Sequence, residues 1–83
     1  MNKELADNAA KIILETLIDH RLNEAEAVYA LLVSATMRLA LDSKDIPELE
    51  SKVKRAGQLF SSYLPANLEA FKLAIEAKKE ALE

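Results

Sequence analysis

The sequence predicts an all-α protein, a compact antiparallel four-helix bundle with helices near residues 3–20, 24–41, 46–63 and 66–82. Three observations carry that reading. Apolar residues recur at three- and four-residue spacing along most of the chain. Ala, Leu, Glu, Lys and Arg dominate while glycine occurs once and proline twice, which favours long helices over tight-turned β structure. The stretch from Ala25 to Leu41 is apolar nearly all round, the mark of a helix covered on several sides. Helix two is therefore expected to be central and most buried.

In the first helix, Leu5, Ala9, Ile12, Ile13, Thr16 and Leu17 form the apolar stripe, widened by Leu14 and Ile18. His20 and Arg21 follow at its C-terminal end, where positive charge interacts favourably with the helix dipole. Asn23 and Glu26 have the spacing of a capping box that opens the second helix, and Leu22 with Ala27 forms a weak hydrophobic staple across it. The loop between the helices is short, so they are expected to form a hairpin of antiparallel neighbours.

The second helix carries Val28, Leu31, Leu32, Ala35 and Leu39 on one side. Tyr29, Val33, Met37 and Leu41 fill the flank that a surface helix leaves polar. This surplus makes the four residues the candidate self-association or partner surface, and a homodimer is expected from it. Ser34 and Thr36 lie within the same helix, where their hydroxyls would bond to carbonyls one turn earlier.

Asp42 to Asp45 is the most polar stretch and reads as a surface turn. Asp45 with Glu48 offers a second capping box, and Pro47 falls in a first turn that has no use for its missing N–H. The third helix then shows a narrow stripe of Ile46, Leu49, Val53, Ala56, Phe60 and Tyr63, with Gly57 in its interior. Leu64 before Pro65 is pushed out of helical geometry, so the helix is expected to break there and Pro65 to open the fourth. That last helix presents Leu68, Phe71, Ile75 and Leu82 opposite Lys72, Glu76, Lys79 and Glu80.

With 83 residues the chain holds one domain, 1–83, and its 51% apolar content is enough for a folded core. It contains no cysteine, which excludes a disulfide framework, a thiolate nucleophile and cysteine-bound zinc. No signal-like N-terminus and no run of about 20 apolar residues is present, so a cytoplasmic location with no membrane partner is expected. The net charge of −3, spread without blocks, disfavours nucleic acid. The basic cluster of Lys52, Lys54 and Arg55 on the third helix is the candidate patch if nucleic acid is bound after all.

His20 is the lone histidine and lacks a carboxylate partner on its own helix face, since Asp19 points about 100° away. The carboxylate pairs Glu15 with Asp19 and Glu76 with Glu80 have lysines close in sequence and read as solvated ion pairs. Tyr29, Phe60, Tyr63 and Phe71 read as core or as the lining of an apolar pocket between helices two, three and four. No catalytic, cofactor-binding or metal-binding residue is assigned. The expected function is a small non-enzymatic protein-protein interaction module that binds and modulates or blocks a larger partner, in an accessory, phage-borne or immunity-type role. A nucleic-acid-associated regulator and an apolar small-ligand binder are the alternatives.

Overall fold

The structure, a computed structural model, describes residues 1–82. The chain is all-α: α1 spans Lys3–Asp19, α2 Glu24–Leu41, α3 Ile46–Ala66 and α4 Leu68–Leu82, with no strand among the described residues. It divides into two units, Met1–Arg38 and Leu39–Glu83.

In the first unit, the Asn2 side chain accepts the Leu5 N–H at 3.1 Å and caps α1. The helix ends in a Schellman motif: the Arg21 N–H reaches the Ile18 carbonyl at 2.9 Å and the Leu22 N–H reaches Leu17 at 3.3 Å. That geometry requires a left-handed residue after the C-cap, and here it is Arg21, with φ of 55°. Leu17 and Leu22, the pair that a Schellman turn brings together, are half-buried, as are Ala27 and Ala30. The capping box of α2 forms as expected, with the Glu26 N–H donating to Asn23 Oδ1 at 2.9 Å and the Asn23 N–H to Glu26 Oε1 at 3.0 Å.

The expected hairpin is not found. Among the described residues α1 and α2 do not pack side by side, and the cluster at their junction is confined to a few residues. Loop length alone suggested antiparallel neighbours, but the exit direction is set by the hydrogen bonds around Arg21.

In the second unit, the end of α2 and the start of α3 form a closely bonded corner. The Leu39 carbonyl accepts from the Asp42 N–H at 3.2 Å and from Ser43 Oγ at 2.8 Å, and the Ala40 carbonyl accepts the Ser43 N–H at 3.1 Å. Asp45 caps α3 by accepting the Glu48 N–H at 2.9 Å. Glu48 reaches back one residue further than a standard capping box, to the Lys44 N–H at 3.0 Å. Leu39 and Leu49 are half-buried beside these bonds.

Pro65 does not end α3. It lies inside the helix, and the interruption comes two residues later at Asn67, with φ −127° and ψ 25°. The Asn67 N–H still reaches the Tyr63 carbonyl at 3.1 Å and its side-chain amide adds a bond to the same oxygen at 3.0 Å. The Asn67 carbonyl in turn accepts the Phe71 N–H at 3.4 Å. Asn67 therefore closes α3 with its N–H and opens α4 with its carbonyl, as one irregular residue between two helices. A proline removes a single ladder bond, and the doubled bond at Tyr63 holds the turn that follows. Tyr63 and Phe71 meet edge to face across this point, with ring centroids 5.8 Å apart.

No described residue is buried. The expected central burial of α2 is not borne out: most of its large apolar residues are open around the helix, including Val28, Leu31, Leu32 and Val33, and only Ala27, Ala30, Leu39 and Ala40 are half-buried. Apolar character all round shows that a helix needs cover, and the chain's own local packing does not supply it.

Candidate interaction surface

The four α2 residues of the candidate partner surface follow at four-residue spacing, which on a helix keeps them along one slowly turning stripe. Tyr29 is 70% exposed, Val33 46%, Met37 58% and Leu41 74%. Next to Tyr29, the first turns of α2 form a shallow, open apolar depression lined by Glu24, Ala25, Val28, Tyr29 and Leu32. Its lining comes from one helix, which makes it a feature of a surface that another molecule can cover. A tyrosine and a methionine suit such a role, the first by its large area and polar tip, the second by its adaptable chain.

The basic cluster is divided by its own contacts. Lys52 Nζ donates to the Asp42 carbonyl at 2.7 Å and lies 3.4 Å from Glu48 Oε1, with its side chain 28% exposed. It serves the corner between α2 and α3. Lys54 and Arg55 are exposed on α3, Lys54 about 160° around the helix from Lys52 and Arg55 about 60° from it. Lys54 therefore faces away from Lys52, and the Lys52 ammonium is already held at the corner.

The Glu48 carboxyl is held below its ordinary value of 4.5, first by the Lys44 N–H; desolvation opposes this as the next largest effect, and the hydrogen bond and charge of Lys52 lower it further. His20 Nδ1 lies 2.8 Å from the Thr16 carbonyl, so the imidazole serves as a helix-end cap. Thr16 makes the back-bond to the preceding turn that was expected of Ser34 and Thr36, with Oγ1 donating to the Ile12 carbonyl at 2.8 Å. Ser34 and Thr36 are exposed on α2.

Among the described residues, no group of three His, Asp or Glu side chains is placed to hold a metal ion. No described helix is long and apolar enough to cross a membrane. The role of Lys52 went unread in the sequence, where it counted only as one of three cations. Its signal, a lysine on the second turn of a helix that follows a polar turn, is too common to single it out. Compared with protein-family models, curated proteins and solved structures, the chain matches none.

Proposed function

We propose that this chain is a small non-enzymatic interaction module of the cytoplasm that binds a larger protein through the apolar face of α2 and modulates or blocks it. The observation that carries the reading is the exposure of Tyr29, Val33, Met37 and Leu41 on a helix whose few polar residues, Glu24, Glu26, Ser34, Thr36 and Arg38, are spread around it and form no one polar side. Exposed apolar stripes of this length mark association sites, because each residue left in water forgoes the free energy of burial, about 25 cal/mol per Å². Tyr29 and Met37 are the anchors in this reading, and the charged residues around the stripe form its rim.

The test compares the wild-type chain with a double variant, Tyr29→Glu and Met37→Glu, as bait for proteins of the source cell. A partner held at stoichiometric level by the wild type and lost with the variant, at matched helical content by circular dichroism, supports the reading. Equal retention by both baits, or no partner with either, overturns it.

A further inference from the structure

The stripe of α3 has a property that the α2 face lacks. Ile46, Leu49, Val53, Ala56, Phe60 and Tyr63 alternate steps of three and four residues without a fault, the a and d positions of three consecutive heptads. Ile46, Val53, Phe60 and Tyr63 are exposed, Phe60 to 84%, and Leu49 is half-buried. The sequence of sizes along the seam is nearly mirror-like: bulky residues at each end and Val53 with Ala56 in the middle.

Gly57 adjoins that middle. A glycine inside a helix weakens it relative to alanine, and a Cβ at this position would meet nothing within 4 Å in its own chain. The lost helical stability therefore has no counterpart within the chain, whereas the close approach of a second helix would supply one.

We infer that α3 pairs with α3 of a second copy as an antiparallel coiled coil, about a two-fold axis that passes between Val53 and Ala56. In this register Ile46 faces Tyr63 of the other copy, Leu49 faces Phe60 and Val53 faces Ala56, giving six layers in which each aromatic ring meets an aliphatic side chain. Parallel pairing would instead set Phe60 on Phe60 and Tyr63 on Tyr63 beside a layer of two alanines, an uneven seam. Charge selects the same direction. All the charges of α3 lie between Glu48 and Arg55, and residues 56–66 carry none. Antiparallel pairing sets the charged half of one helix beside the neutral half of the other, while parallel pairing aligns like charges.

A second copy is also the occupant that the stability of this unit calls for. Leu39–Glu83 spans 45 residues, and none of its described residues is buried. Units below about 70–80 residues rarely draw more than a few kcal/mol from a core of their own and gain most from disulfides, metals or association, and the chain contains no cysteine. Another copy is present at the concentration of the chain itself, so the seam can be covered as soon as the helix forms. This pairing uses a different helix from the proposed partner face, and either can fail without the other.

The experiment combines light scattering on the full chain with disulfide trapping, for which the absence of native cysteine leaves a clean background. The expected mass is twice 9.2 kDa over a wide concentration range. Single variants Val53→Cys and Ala56→Cys are then oxidised separately and as a mixture. Antiparallel pairing predicts that the mixture cross-links in excess of either variant alone, because positions 53 and 56 face each other across the axis. A chain of 9.2 kDa, a dimer with no excess of the mixed product, or Val53→Cys cross-linking to itself as readily as the mixture overturns the inference.

Discussion

The ammonium of Lys52 donates to the backbone carbonyl of Asp42 at 2.7 Å, across ten residues of sequence, and ties the turn after α2 to the second turn of α3. Because Glu48 Oε1 lies 3.4 Å from the same ammonium, one side chain serves both a helix-end carbonyl and a helix-start carboxylate.

Replacing Lys52 by methionine keeps most of the aliphatic stem and removes the donor. The side chain is partly exposed, so water takes over some of what is lost, and destabilisation of about 1 kcal/mol is expected. Thermal or urea unfolding measures it. The same change at Lys54, which is exposed on α3, should have an effect within about 0.5 kcal/mol.

The corner should respond to acid. The folded pKa of Glu48 is lowered by the Lys44 N–H and by Lys52, so its contribution to stability is fully present above the ordinary value of 4.5 and is lost as pH falls through the lower folded value. Helical content followed by circular dichroism should be flat between neutrality and about pH 5, with this loss confined to more acidic solution. Glu48→Gln should flatten that part of the profile, whereas Glu50→Gln should leave it in place.

Arg21 occupies the left-handed position of the α1 Schellman turn. Such a backbone costs a non-glycine residue about 1 kcal/mol, part of which glycine gives back through the greater freedom of its unfolded chain. Arg21→Gly is expected to raise stability by about 0.5 kcal/mol, and Arg21→Val to lower it. Melting temperatures of the two variants against wild type decide the sign.

Both halves of the α2 capping box are formed, at 2.9 and 3.0 Å. Asn23→Ala removes the acceptor for the Glu26 N–H and should cost about 1 kcal/mol, while Asn23→Ser should be nearly neutral. Amide exchange in the first turn of α2 should accelerate in the alanine variant and change little in α3.

The helices were legible in the sequence because their determinants are local. The Asn23 cap, the polar turn from Asp42 to Asp45 and the start of α3 at Ile46 depend on side chains within a few residues of the backbone groups they satisfy. The end of α3 was misplaced for a related reason: the rule for a residue before proline weighs one steric contact, while the structure also includes the two bonds that Asn67 makes to the Tyr63 carbonyl. The candidate surface was legible as residue types, since Tyr29, Val33, Met37 and Leu41 stand out on any helical projection. Whether those residues lay inside the chain or on its surface was beyond local reasoning.

By itself, then, the sequence determined an all-α chain of four helices, the caps that start the second and third, and the apolar stripes they carry, all consequences of spacing and of side chains bonding to nearby backbone. Tertiary structure alone decided that α1 and α2 do not lie side by side, that α3 ends and α4 begins at Asn67, that Lys52 belongs to the α2–α3 corner, and that the α2 stripe is exposed. The physical reason is that hydrophobic burial has no direction: periodicity states how much apolar surface must be covered, and only the arrangement of the elements states what covers it.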